Sequence, residues 1–294
     1  MTPAEIFLQQ VVNGLTLGAV YALIALGYTM VYGIIQLINF AHGEIFMVGA
    51  YAGMTVLLLG GNLMLALMAA AVICALVGFG VERLAYRPLR NAPKLSALIS
   101  AIGVSFFLQN ALMLGFGAQD RYVPAALPGA GFRLGAVTVT PMQEVIFGVT
   151  LLLMLGLEWV VHRTRLGRNM RAVAQDPLAA RLMGVSVDRV IVQTFVIGSA
   201  LAGIGGVLFG VYYSTINFHD GYLAGLKAFT AAVLGGIGNI PGAMLGGLLL
   251  GLLEGLGAGY LSAQWKNVIA FSVLVLVLLV RPRGLLGERV AERA

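Results

Sequence analysis

QEVIFGVTLLLMLGLEWVV at residues 143–161 and VIVQTFVIGSALAGIGGVLFGVYYS at 190–214 flank RTRLGRNMRAVAQDPLAARLMGVSVDR at 163–189. Each flank holds roughly the 20 predominantly apolar residues that carry a helix across a bilayer. The middle holds six arginines and reads as a connection exposed to water. Such alternation recurs along the chain. Of its 294 residues, 60% are hydrophobic and only 10% charged, with 40 glycines, and the mean hydropathy is +0.94. A soluble domain carries about 25% charged residues, so a water-soluble fold is excluded, as are a disulfide scaffold and a disordered tail. The expected fold class is all-α: a polytopic membrane helix bundle of about eight or nine transmembrane helices, with 1–294 forming one domain.

The net charge of +6 follows from topology rather than from an anionic partner. Fourteen of the 18 Lys and Arg residues fall in three patches: Arg83, Arg87, Arg90 and Lys94; the six of 163–189; and Arg281, Arg283, Arg289 and Arg293. That distribution fits the positive-inside bias of cytoplasmic loops and argues against nucleic acid. No Lys or Arg precedes Arg83, so a basic leader region is missing and the first span is expected to be retained. Cys74 is the sole cysteine and has no partner for an internal disulfide.

Apolar segments run at 6–33, 44–60, 63–82, 96–117, 143–161, 190–214, 225–238, 242–262 and 266–281. With 83–94 and 163–189 both cytoplasmic, the loop at 118–141, which contains Pro124, Pro128 and Pro141, lies outside. The amino terminus is then outside and the carboxyl terminus inside. Nine crossings satisfy this parity, and so do seven with a re-entrant pair at 225–262.

Two stripes of small residues at four-residue spacing, Gly198, Ala202, Gly206 and Gly210, and Gly247, Gly251, Gly255 and Gly259, allow helices to pack closely in lipid. They serve either packing within the bundle or a subunit contact. Polar or helix-breaking residues interrupt the apolar pattern at Gln36–Glu44 and Gly235–Gly242. Each break is either a tight turn at the membrane surface or part of a substrate pathway, because free backbone groups at membrane depth must be buried or line a wet cavity. Glu254 is the candidate for a deeply placed charge, and Glu44 and His42 flank Gly43. Each carboxylate either bonds a neighbouring helix or touches substrate. Glu82 and Glu158 are expected to pair locally, beside Arg83 and His162.

His42, His162 and His219 are scattered, with no HExxH, CxxC, GxSxG or Walker A pattern. No catalytic residue, metal or cofactor is therefore expected, and an intramembrane enzyme has no supporting residue set. Within 163–189, Asp176-Pro177 reads as a helix start, with Asp as cap and Pro in the first turn. A short amphipathic helix then runs through Met183 and closes at Gly184. Its Leu178, Ala179, Ala180, Leu182 and Met183 suit docking on a soluble partner, although an ordinary basic loop would have similar composition.

Leu178-Ala-Ala-Arg-Leu-Met-Gly184 resembles the E-A-A-x-x-x-G loop of bacterial ABC importer permeases, with Leu in place of Glu. The longer stretch Arg168–Gly184 is similar to the degenerate form in branched-chain amino acid importers of the LivH/LivM type. Gly14–Gly33, Ile38–Tyr51, Lys227–Gly247 and Arg281–Gly287 match that branch in order, closer to LivH than to LivM. The resemblance implies a non-catalytic pore subunit in the bacterial inner membrane. Its implied partners are a second, LivM-like permease, two cytoplasmic ATP-binding subunits, and an extracytoplasmic amino-acid-binding protein. It implies coupling through Arg168, Arg171, Asp176, Ala179, Ala180 and Gly184. Asn39, His42, Glu44 and Asn239 are the candidate pathway residues. A secondary transporter or facilitator of amino acids or amides is the alternative; it would share the spans and breaks but need no ATPase.

Overall fold

The computed structural model describes residues 2–90, 92–125, 127, 131–281 and 283–287. Pro128, Arg289 and Arg293 lie outside them. The chain is helical almost throughout. Helices α1 (Pro3–Ile35), α2 (His42–Leu58), α3 (Leu63–Val81), α4 (Lys94–Phe116) and α5 (Pro141–Arg163) precede the two short helices α6 (Arg165–Gln175) and α7 (Pro177–Leu182). Helices α8 (Val187–Tyr213), α9 (Asp220–Gly235), α10 (Ile240–Tyr260) and α11 (Lys266–Val280) follow. Two small antiparallel ribbons complete the fold. Strand β1 (Arg121–Tyr122) pairs with β4 (Thr215–Ile216), and β2 (Phe132–Leu134) with β3 (Val137–Val139).

Helix ends follow local chemistry. Thr2 and Thr140 each build a capping box, with Glu5 and Gln143 respectively, and proline opens both helices. Asn62 caps α3 and Asn239 caps α10 through their side-chain oxygens.

Among the described residues, seven helices are long and apolar enough to cross a membrane. All nine expected apolar segments are helical; α11, with 15 residues, reaches span length only with the helical turn before it, Ala263–Val280, and two others are short. α2 has 17 residues and α9 has 16, about 25 Å each against a hydrocarbon core of about 30 Å. The short pair is thus α2 and α9, whereas α10 is long and apolar enough to cross.

Helix α1 is the centre of the bundle, buried from Thr16 to Val31 and packed by α8, α9 and α10, with α5 and the start of α2 also against it. α3, α4, α5 and α11 lie outside this core and present leucine, isoleucine, valine and phenylalanine outwards. The glycine stripes pack inside the subunit. A Cβ on Gly18 would come 2.7 Å from Leu248 Cα, and one on Gly255 would come 2.5 Å from Gly14 Cα. Backbones meet directly along α1 and α10, gaining the van der Waals contact that holds helices together in lipid. Gly198 faces Gly27 of α1, and Gly206 faces Phe46 and Ala50 of α2. A Gly18→Leu variant is expected to separate α1 from α10 and leave little folded protein; gel-filtration yield in detergent measures it.

Candidate functional site

The two basic loops meet at one end of the bundle. Asp188, at the start of α8, takes Arg90 and, at 3.5 Å, Arg87. Arg90 also pairs with Glu82, so that carboxylate reaches across its own turn and not to the adjacent Arg83. Glu158 pairs with His162 as expected, at 3.0 Å.

At this end Asp176 Oδ1 accepts from the amides of Leu178 (2.9 Å) and Ala179 (3.0 Å), opening α7. Gly184, at φ +84°, closes it. The amide of Val185 reaches Ala180 O (2.9 Å) and that of Gly184 reaches Arg181 O (3.0 Å). This paired closure is the Schellman motif, and a left-handed residue there favours glycine. α7 is therefore a bounded helix although only six residues long. Leu178, Leu182 and Met183 stand outside the body at 68%, 82% and 83% exposure, with Ala179 exposed beside them. Ala180 faces inwards and is buried. It seats the helix. Arg168 and Arg171 are exposed on α6, whose Gly167, Met170 and Val173 are buried; the Arg171 guanidinium donates to Val161 O. A recess of about 430 Å³ opens beside α7, lined by Arg181 and Gly184–Asp188.

The first break lies inside the bundle. The His42 ring packs against Gly27 and edge-on to Tyr28, 4.7 Å between centroids. Gly27 stands eight residues before the end of α1, about 12 Å up its axis, so the chain turns back inwards before α2 begins. Asn39, His42 and Glu44 are each 1–2% exposed. Tyr86 donates to Asn39 Oδ1 (3.2 Å), and Ser105 of α4 donates to Glu44 Oε1 (3.4 Å). Asn39 Nδ2, His42 Nε2 and Glu44 Oε2 have no hydrogen-bond partner among the described residues. Glu44 Oε2 faces Gly221 in the first turn of α9, and Gly43 packs on Gly221 and Gly225. Phe40 meets Phe229, Gly43 meets Gly225 and Met47 meets Gly221, so α2 and α9 run in opposite directions and meet through their first two turns.

The second break is a turn. Asn239 Oδ1 accepts from Gly242 N at 2.8 Å to cap α10, and its Nδ2 donates to Leu286 O at 3.0 Å. Both ends of that side chain are committed to structure. The segment Arg283–Gly287 folds onto this turn, where Leu285 and Leu286 amides satisfy the last carbonyls of α9, Leu234 and Gly235. Asn239→Ala is expected to lower stability by about 1–2 kcal/mol through the lost cap, measured by thermal unfolding in detergent.

Glu254 is fully buried and bonded to neighbouring helices. Lys227 Nζ of α9 is 2.5 Å from its Oε1, and the Tyr21 hydroxyl of α1 donates to its Oε2 at 2.7 Å. One signal in the sequence could have pointed to this pair, although it does not by itself join them: Lys227 is the only Lys or Arg between Arg189 and Lys266, and Glu254 the only carboxylate between Asp220 and Glu288. Tyr21, Tyr86 and Ser105 carried no such signal.

The chain as a whole has counterparts among known proteins. Residues 10–278 match the family model for the permease component of branched-chain amino acid transport systems. The chain belongs to this family. It is 51% identical over 300 residues to the high-affinity branched-chain amino acid transport system permease protein BraD of Pseudomonas aeruginosa, covering 98% of each chain. It is 50% identical to the LivH permease of Escherichia coli K12, covering 98% of this chain and 97% of that one. Among solved structures it is similar to a metal-chelate type ABC transporter in an inward-facing conformation. That match has a TM-score of 0.52 and 18% identity, covering 92% of this chain and 85% of the other, and it shows the fold. As a member of this permease family the chain is a multi-span membrane protein.

Proposed function

We propose that this permease forms half of the pore of an ATP-driven importer of branched-chain amino acids. Two cytoplasmic ATPases, a second permease and an extracytoplasmic amino-acid-binding protein complete it. α7 carries the reading: a six-residue helix, closed at both ends, with three large apolar side chains outside the body, is shaped for a groove on a soluble protein. The basic end of the bundle is the cytoplasmic one, which puts the amino terminus outside and the carboxyl terminus inside. Leu178, Ala179, Leu182 and Met183 make the contact. Arg168 and Arg171 border it, while Asp176, Ala180 and Gly184 hold the helix in shape. ATPase closure moves α7, and the bundle changes its access with it. The pathway passes the buried polar groups of Asn39, His42 and Glu44; Asn239 supports the turn and stands off the path.

Purification of the tagged permease in mild detergent is expected to bring down two Walker-motif ATPases and a second permease of similar size. Vesicles holding the complex are expected to take up leucine only with ATP. Uptake that survives ATP removal and follows the proton gradient would overturn the reading in favour of a secondary transporter.

A further inference from the structure

We infer that the α8–α9 connection, Ser214–His219, is the outer gate of the permease, clasped shut against residues 118–123. The inference extends the transport reading to a segment that reading does not use. It starts from the β1–β4 ribbon, in which Tyr122 faces Thr215 and Arg121 faces Ile216, with Val123 N donating to Ser214 O at 2.9 Å. The inner side of this ribbon is a plug. Val123 and Ile216 are each 1% exposed, and both stand over Gly210 of α8. Its outer side is a polar clasp. Asn217 Nδ2 donates across to Asp120 Oδ1 at 2.7 Å, while Asn217 N to Asp220 Oδ2 (2.8 Å) and His219 N to Asn217 Oδ1 (3.1 Å) only shape the turn that presents Asn217. Gln109 of α4 meets the His219 ring at 2.9 Å.

Three features make this clasp one that opens. Its bonds are mostly exposed to water, where each contributes only about 0.5–1.5 kcal/mol, so it closes firmly yet yields to an ATP-driven cycle. Ser214 holds φ +59°, a left-handed conformation that strains a serine by roughly 1–2 kcal/mol and marks the hinge. Directly after the clasp, α9 meets α2 through Gly43, Gly221 and Gly225. The contact is largely backbone on backbone, with the Glu44 and Met47 side chains reaching Gly221, so the first turn of α9 can shift on α2 when the clasp lets go. Opening would uncover Glu44, whose free oxygen faces that turn.

A disulfide tests the gate. Tyr122 and Thr215 are opposed and exposed, and opposed residues of an antiparallel pair stand within disulfide reach; the native Cys74 is buried. In vesicles holding the complete transporter, the Tyr122→Cys/Thr215→Cys variant should take up leucine when reduced. Oxidation should lower uptake at least tenfold, and dithiothreitol should restore it. Uptake within twofold of the reduced level, with the cross-link complete on a gel, would overturn the gate. Transport by the reduced protein is the control for the transport reading itself. Should the reduced variant fail to transport, Asp120→Cys/Asn217→Cys joined by a short bis-thiosulfonate poses the same question with the same two outcomes.

Discussion

Ala179→Asp/Leu182→Asp permease is expected to enter the membrane at the wild-type level and to lose ATP-driven uptake by at least about thirtyfold. Both side chains are exposed, Leu182 at 82%, so neither aspartate disturbs the fold. On docking, each aspartate would have to be desolvated in an apolar groove. The loss of one central apolar anchor at an interface is worth about 2 kcal/mol or more, which is roughly thirtyfold in an equilibrium constant. Ala180→Asp should behave differently. That side chain faces the protein, so its aspartate would unseat α7 and lower the amount of folded permease. Uptake and membrane content, measured side by side for the two variants, separate a docking residue from a seating residue. Normal uptake by Ala179→Asp/Leu182→Asp would remove α7 from the coupling mechanism.

The second large effect is at the buried pair. Lys227→Met leaves Glu254, fully buried, with only the Tyr21 hydroxyl beside it. Breaking one partner out of a buried ion pair costs about 3–5 kcal/mol because the remaining charge is uncompensated. Lys227→Met and Glu254→Met are each expected to unfold far below the wild type in detergent. The double variant should recover most of that loss, since an apolar pair of similar volume carries no desolvation penalty. Thermal unfolding of the four proteins gives the coupling directly. Additive effects would mean that Lys227 and Glu254 act separately. Recovery of stability without recovery of uptake would give the charges a part in transport beyond holding α9 to α10 and α1.

The family blocks and the α7 helix were legible because their information is local. Asp176, Pro177 and Gly184 mark a helix start and stop through backbone chemistry that needs no distant residue, and the helix lies at Pro177–Leu182. Which of its residues face a partner was not legible. Ala179 and Ala180 are adjacent and chemically identical, and only the packing of α7 against α8 turns one outwards and buries the other. The two breaks show the same limit. Gln36–Glu44 and Gly235–Gly242 both read as interruptions, since glycine, proline and polar residues break an apolar helix wherever they fall. One became a buried polar interior because α1 is long enough to carry the chain past it, and the other a capped turn because Asn239 and Leu286 meet.

By itself the sequence determined that this chain crosses the membrane many times, where its basic loops fall, where a short capped helix starts and stops, and which family it belongs to. These depend on composition, on short-range capping, and on order along the chain. Only the tertiary structure decided that the glycine stripes join helices within the subunit, that Lys227 pairs with Glu254 while Tyr21 donates to it, and that α2 and α9 meet by their first turns. Each of these is a contact between residues far apart in sequence. In lipid, where hydrophobicity does not distinguish one apolar face from another, such contacts are chosen by shape and by the pairing of scarce polar groups.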